Sequence, residues 1–301
     1  MSPEKKIKIA LDENRMSIMG VQILLGFQLQ APFQKLFDAL PESLKYLSLV
    51  AFGLLTAAVA LLIAPSAYHW IVTKGGAEAR LEHSITWLVN IALALLALAI
   101  GLDLYLVGDR VVGGVVGLVL GLAFCLCAFV FWYGLELMHL ASRDSTKPRS
   151  DDSQTSGSKL EDRIDFVLTE ARVVLPGVQA LLGFQLVVVL TEAFGKLPAS
   201  SALVHLGALA AVAVSTVLLI APTAHHRIVY GGEDSEDFPP IAGAYLLGAT
   251  VFLALGMAGD WYVIAAKVLE SKVWGIASAL VTACACLGLW HVLPLIARTR
   301  R

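Results

Sequence analysis

Two glutamines and two histidines form the polar pattern in this sequence whose residue types and spacing best suit chemistry inside apolar segments. Gln22 recurs as Gln179 and His69 recurs as His226. Polar side chains in long apolar helices are costly and therefore mark candidate sites. If the first helix of each copy runs outward and the second returns, Gln22 and His69 lie about 5–8 Å from the same boundary. We predict a polar membrane cluster of Gln22, His69, Gln179 and His226, either packing between helices or titrating beside a vestibule.

A proline precedes each of these histidines by four residues. Pro65 and Pro222 lie inside long apolar runs, and a proline there removes a helical hydrogen bond and displaces the carbonyl four residues earlier. The sequence therefore predicts a kink of more than about 20° at each proline. The freed carbonyls of Leu61 and Leu218 should then face protein or water instead of lipid.

Two aspartates form a second repeated feature. Asp103 and Asp260 lie near the predicted outer ends of the third and seventh apolar segments. One interpretation is a helix-end carboxylate paired with Arg110 or Lys267. The other is an external site that attracts cations, since ionisable groups at membrane depth are functional candidates.

Motifs of known enzyme classes are missing from the sequence. It has no HExxH, no GxSxG, no P-loop and no GxGxxG that follows a strand. The four cysteines lie in two Cys-x-Cys pairs, at Cys125–Cys127 and Cys284–Cys286. On a helix this spacing turns the two thiols about 200° apart, which is poor chelating geometry. We expect no catalytic residue, no metal site and no cofactor, and therefore no enzyme.

Composition places the chain in a membrane. Of its 301 residues, 57% are hydrophobic and only 15% are charged, against about 45–50% and about 25% in soluble domains. The mean hydropathy is +0.76. The formal net charge of -2 offers no basic surface for nucleic acid. These values exclude a disordered chain and make the lipid bilayer the first expected partner.

The elements that must position these residues are apolar segments long enough to cross about 30 Å of hydrocarbon. Their number predicts an all-α polytopic membrane protein with eight transmembrane helices. We place these eight at residues 17–36, 44–72, 83–108, 112–140, 174–195, 201–229, 241–266 and 273–297.

An internal duplication organises the eight segments. Gly20–Leu29 reads GVQILLGFQL and Gly177–Leu186 reads GVQALLGFQL, so nine of ten positions match at an offset of 157. Four spans per copy give two parallel, pseudo-symmetric four-helix repeats related by an axis along the membrane normal. The predicted domains are a first repeat at 1–141, a polar cytoplasmic linker at 142–163 and a second repeat at 164–301.

These motifs resemble a family of uncharacterised bacterial four-helix membrane proteins of unknown function. The second copy carries the family pattern in full, whereas the first has Met19 in place of the proline. The resemblance implies a four-helix unit in each half and assigns no activity. The residues that carry it are Glu170, Arg172, Pro176-Gly177-Val178-Gln179, Ile220-Ala221-Pro222 and His226.

Two functions are compatible with this pattern. The first is a non-enzymatic structural or partner-binding membrane protein, with a second copy of the chain or another membrane protein as its partner. The second is a small channel or transporter with a pathway at the repeat interface, because duplicated bundles often hold substrates there. A water-filled cavity beside the repeated polar residues would favour the second.

The distribution of basic residues predicts which side each loop occupies. Sixteen Lys and Arg lie on the side of the termini and of loop 142–163, and six lie on the other side. The positive-inside rule then predicts a multi-pass protein of the inner (plasma) membrane with both termini in the cytoplasm. Single cysteines at Ser2, Ser156 and Thr299, in a chain without native cysteines, should resist an impermeant thiol reagent in intact cells. External labelling of Ser156→Cys would contradict this topology.

Overall fold

The computed structural model describes residues 3–71, 79–134, 154–229 and 235–299, and within these ranges it contains helices and no strand. Side chains are described in the same ranges except at 3–16, 65–86, 154–159, 161–162 and 298. The predicted all-α architecture is confirmed for this part of the chain.

Four long helices make up the first repeat. Each is connected to the next by a short segment, as the four-span unit requires. In chain order they are α1 at Pro3–Gln30, followed by a single 3₁₀ turn at Ala31–Phe33, α2 at Glu42–Ile71, α3 at Ala79–Val111, and α4 at Gly114–Phe129, which continues as a π-helical turn at Val130–Gly134.

The second repeat follows the same order with one added turn of helix. Its first, second, third and fourth long helices correspond to α1, α2, α3 and α4. They are α5 at Gln154–Val188, a short α6 at Glu192–Gly195, α7 at Ala199–Val229, α8 at Phe238–Val268, and α9 at Lys272–Leu287, with a π turn at Gly288–Val292 and a terminal α10 at Leu293–Thr299.

The first helix of each repeat is longer than its predicted span. The spans predicted to begin at residues 17 and 174 lie in helices that begin at Pro3 and Gln154. In α5 the reason is a packed apolar face, since Ile164 and Leu168 contact Val229 and Phe238 at the ends of α7 and α8. The last residues of the predicted linker, from Gln154 onward, are therefore helical, while residues 142–153 lie outside the described ranges.

A tight turn brings α4 back along α3. Gly113 adopts a φ of 135°, which side chains other than glycine rarely allow. Beyond the turn, the helices approach so closely that a Cβ on Gly121 would come within 2.5 Å of the Gly101 carbonyl oxygen. Small residues permit such packing between membrane helices. The stretch of α3 that carries Asp103 is thereby held rigidly against α4.

The two repeats share one hydrophobic core instead of each enclosing its own. Buried side chains from α1–α5, α7 and α8 form a single contiguous cluster. The fully buried Trp132 of the first repeat donates its indole N–H to the Val217 carbonyl of α7, at 2.9 Å. The helix α7 also packs against α3. One helix of the second repeat is therefore enclosed by the first repeat.

The helices α1 and α5 meet through residues that occupy equivalent positions in the two repeats. The rings of Phe27 and Phe184 lie 4.3 Å apart, centroid to centroid, and differ in number by 157. The same offset separates Lys35 from Glu192, whose side chains form an exposed ion pair of 3.1 Å. Equivalent positions thus face each other along this contact.

Within the part of the chain that the structure describes, seven helices are long and apolar enough to cross a membrane, which makes the chain a multi-pass membrane protein. The seven do not include α1, of which only the side chains from Ser17 onward are described. The seven stretches are Glu42–Ala64, Trp87–Val111, Gly114–Gly134, Arg163–Val188, Ala199–Val229, Phe238–Val268 and Lys272–Ala297.

The Trp132 contact predicts unequal roles for two matching tryptophans. Trp132 and Trp290 are the third residues of the two π turns, but Trp290 is only half-buried. Trp132→Phe should lower the free energy of unfolding by about 1 kcal/mol, because it removes a buried hydrogen bond between the repeats. Trp290→Phe, the matched control, should lower it less. Circular dichroism during denaturation in detergent measures both, and equal losses would contradict a special role for Trp132.

Candidate functional site

A glutamine–aspartate hydrogen bond occurs at the same place in both repeats. Gln28 Nε2 donates to Asp103 Oδ1 at 2.8 Å. Gln185 Nε2 donates to both carboxylate oxygens of Asp260, at 3.0 and 2.9 Å. Each pair joins the first long helix of its repeat to the third. The predicted repeated aspartates therefore have repeated partners.

The two pairs also lie at matching depth along their helices. Asp103 is eight residues before Val111, the end of α3, and Asp260 is eight residues before Val268, the end of α8. Eight residues span about 12 Å of helix. The carboxylates are therefore not helix-end groups. They pair with glutamine amides and not with Arg110 or Lys267, the partners that one interpretation of the sequence named.

The aspartate of the first repeat is enclosed, although Gln28 and Ser48 line a cavity of about 400 Å³ that Asp103 does not line. Gln28 and Asp103 are each only 7% exposed, and Ser48 beside them is 4% exposed. The Gln28 amide also lies 3.4 Å from the Ser48 carbonyl oxygen. A carboxylate enclosed in this way is tolerated because a donor satisfies it. This pair fastens α1 to α3.

The pair of the second repeat is more open and includes a histidine. His205 stands at the position that Ser48 occupies in the first repeat. Its Nε2 lies 3.0 Å from the Gln185 carbonyl oxygen, and its Nδ1 lies 3.9 Å from Asp260 Oδ1. The ring itself is buried and packs edge-on against Phe194. By contrast, the Asp260 side chain is 20% exposed.

The hydrogen bonds around His205 determine which atoms remain as acceptors. A carbonyl oxygen only accepts, so His205 Nε2 must carry the proton of that contact. In the neutral ring Nδ1 is then an acceptor, and it faces the Asp260 carboxylate. Gln185 adds a third acceptor, since its Oε1 is buried without a hydrogen-bond partner. The site thus has more acceptors than donors.

A cavity of about 520 Å³ adjoins this group of side chains. It lies where the end of α1 meets α5, α7 and α8. Both repeats contribute, because Gln30 and Gln34 of the first repeat face Val187 and Thr191, which are their equivalents at the offset of 157. The remaining lining residues are Leu181, Phe184, Gln185, Val188, His205, Asp260, Val263 and Ile264.

The predicted cluster of glutamines and histidines is not presented equally by the two repeats. Gln22 is exposed on α1, whereas Gln179 is 1% exposed and packs against Gly20 of α1. His226 is buried and lies 4.9 Å from the ring of Phe238. The side chain of His69 is outside the described residues. Gln179 therefore lies at the contact between the repeats, and the roles predicted for the cluster stay predictions.

The proline kinks stay predictions. The helix α7 runs through Pro222 as far as Val229 without interruption, and Pro222 is buried. Leu218, whose carbonyl the proline releases, is also buried in the protein. The helix α2 likewise continues past Pro65 to Ile71, although the Pro65 side chain is outside the described residues.

Sequence reasoning missed both the Gln–Asp pairing and His205. Gln28 and Gln185 lie six residues beyond Gln22 and Gln179, on a different helix face, and are not part of the predicted cluster. A comparison of depths contained the signal, since Gln28 and Asp103 both lie towards the predicted outer ends of helices that run outward. His205 had no such signal, because its counterpart Ser48 is of another residue type.

Both halves of the chain match one known protein family. The profile of a family described as "Family of unknown function (DUF6328)" matches residues 4–136 and again residues 153–294. The chain belongs to this family. Its two matches are consistent with a tandem duplication of one uncharacterised domain and confirm the resemblance seen in the motifs. Comparisons with curated proteins and with solved structures give no match.

Because Asp103 is enclosed and Asp260 is partly exposed, removing the glutamine partner should lower stability by different amounts in the two repeats. Gln28→Leu leaves the buried Asp103 carboxylate without its donor and should cost about 1–3 kcal/mol of unfolding free energy. Gln185→Leu should lower the unfolding free energy less, because the Asp260 side chain is 20% exposed and is not fully enclosed when it loses its donor. Gln30→Leu, on the exposed face of α1, is the control and should stay within about 0.5 kcal/mol. Unfolding in detergent measures all three, and a Gln28→Leu effect no larger than the control would refute the fastening role.

Proposed function

We propose that the chain is an inner-membrane protein of eight spans, with α1 as the eighth and both termini in the cytoplasm. The two repeats are related by a pseudo-twofold axis that passes between α1 and α5. The contacts Phe27–Phe184 and Lys35–Glu192 support this axis, since equivalent residues meet only where a twofold axis passes. Farther from that contact the symmetry is broken, because α4 packs on α7 without a comparable contact of α9 on α2 among the described residues.

We further propose that the protein is non-enzymatic and binds a small polar ligand at Asp260, within the structural or partner-binding class. A single comparison carries this proposal. Asp260 itself lines the cavity of about 520 Å³ in the second repeat, whereas Asp103 is 7% exposed and does not line the cavity of about 400 Å³ that Gln28 and Ser48 border in the first. Pockets for small molecules commonly measure about 300–1,000 Å³ and combine apolar walls with a few polar groups. The surrounding bilayer, a second copy of the chain and other membrane proteins are the partners of this class.

Transport is the second candidate function, and the position of the cavity favours it. Equivalent residues of both repeats, Gln30 with Val187 and Gln34 with Thr191, line the same space. Substrate sites of duplicated transporters are typically found at such a boundary between repeats. In this function the Asp260 site is one of the substrate-binding sites on a pathway along the interface between the repeats.

Accessibility of the cavity tests the binding role. Val263 lines the cavity, whereas its equivalent Leu106 is 6% exposed in the core of the first repeat. In a chain without native cysteines, Val263→Cys should react with the small cationic reagent 2-aminoethyl methanethiosulfonate at least tenfold faster than Leu106→Cys. Reaction rates on the chain in lipid nanodiscs, followed by mass spectrometry, measure the difference.

A charge-neutral control separates steric access from electrostatic attraction. Adding Asp260→Asn to Val263→Cys should slow the cationic reagent, because the carboxylate attracts it. The rate of an uncharged methanethiosulfonate of similar size should not change. Equal, slow labelling at positions 263 and 106 would mean that the cavity is closed to ligands and would overturn the proposed function.

A further inference from the structure

The charge of the cavity points to a cationic ligand. Of the described residues that line it, Asp260 alone carries a formal charge. Its carboxylate accepts two hydrogen bonds from the neutral Gln185 amide, which leaves the negative charge uncompensated. Charges interact strongly in a water-poor environment, so a positively charged group would be favoured beside it.

The acceptors at this end of the cavity call for a ligand that brings N–H donors. His205 Nδ1 and Asp260 Oδ1 face each other at 3.9 Å, and in the neutral ring that leaves Nε2 protonated neither atom carries a proton that could join them. Among the described residues, Asp260 accepts only from the Gln185 amide, so a further N–H donor between these two acceptors would satisfy both. A protonated primary amine offers three N–H groups, whereas a quaternary ammonium offers none.

Apart from Gln30, Gln34 and Thr191, the other residues that line the cavity are apolar, which suits a hydrocarbon tail. Its walls away from the polar group are formed by Leu181, Phe184, Val188 and Ile264. A bound proton would not need this space. A divalent metal would need more ligands, since the site supplies one imidazole and one carboxylate, and zinc sites use at least three protein ligands.

We propose that the Asp260 cavity binds a protonated primary amine with an apolar tail, the ammonium group on Asp260 and His205 and the tail along Phe184 and Ile264. This inference rests on the proposed binding function and names its ligand class. Asp103 in the first repeat is enclosed and does not line the cavity beside Gln28, so we assign the amine to the Asp260 site.

Hexylammonium and hexanol are the probes that test the proposal, since they share a tail and differ in the charged group. The full-length chain in lipid nanodiscs should bind hexylammonium at least tenfold more tightly than hexanol, measured by calorimetry. Asp260→Asn should remove this preference. Asp103→Asn, the matched control in the first repeat, should leave it unchanged, and His205→Ser, which installs the first-repeat residue, should weaken hexylammonium binding several-fold.

A second variant that keeps the Asp260 carboxylate tests the proposal even if Asp260→Asn does not fold. Val263→Phe fills part of the cavity, so it should weaken hexylammonium while leaving the shorter methylammonium unaffected. Equal binding of hexanol and hexylammonium, or equal hexylammonium binding by the wild type and Asp260→Asn, would overturn the amine assignment. If Val263→Cys still reacts rapidly with the thiol reagent in that case, the cavity and the proposed function stand. Slow labelling of Val263→Cys would contradict both the amine assignment and the proposed binding function.

Discussion

A carboxylate that lies deep among apolar helices needs a hydrogen-bond donor, and this requirement organises both repeats. In each, the donor is a glutamine amide on the first long helix and the acceptor an aspartate on the third. Leaving either aspartate unpaired would cost far more than the net gain of an ordinary hydrogen bond. The pairs therefore fix how α1 lies against α3 and how α5 lies against α8. The positions of the connecting turns and of the cavity follow from that arrangement.

Divergence at one neighbouring position separates a structural pair from a candidate site. Where the first repeat has the small Ser48, the second has His205, whose ring occupies the space next to Gln185. The imidazole takes the Gln185 carbonyl as its acceptor and turns a second nitrogen towards Asp260. In the first repeat the corresponding Asp103 is almost fully enclosed. The two repeats thus differ at this position in a way that leaves Asp103 enclosed and Asp260 at the edge of a cavity.

Much of the architecture could be predicted from the sequence because hydropathy and repetition record it directly. The repeated motifs predicted a duplication that the family comparison supports, and apolar length predicted seven of the spans. The Gln28–Asp103 pair could have been inferred from depth, but the predicted cluster included Gln22 and not Gln28. Gln22 is exposed whereas its equivalent Gln179 is buried, which shows that the same residue type at equivalent positions of the two repeats can have different surroundings. That difference arises from tertiary packing, which no local pattern contains.

The shared core explains why the two copies are not equivalent. Trp132 and α3 of the first repeat cover part of α7, whereas an 18-residue stretch within Lys272–Ala297 has no buried residue. On α7 the buried Ser215 donates to the Ala249 carbonyl oxygen inside the protein. An enclosed α7 holds His205 in place beneath the contact between α1 and α5. The cavity then forms where equivalent residues of both repeats meet, yet only one aspartate reaches it, so a duplicated chain presents a single polar site.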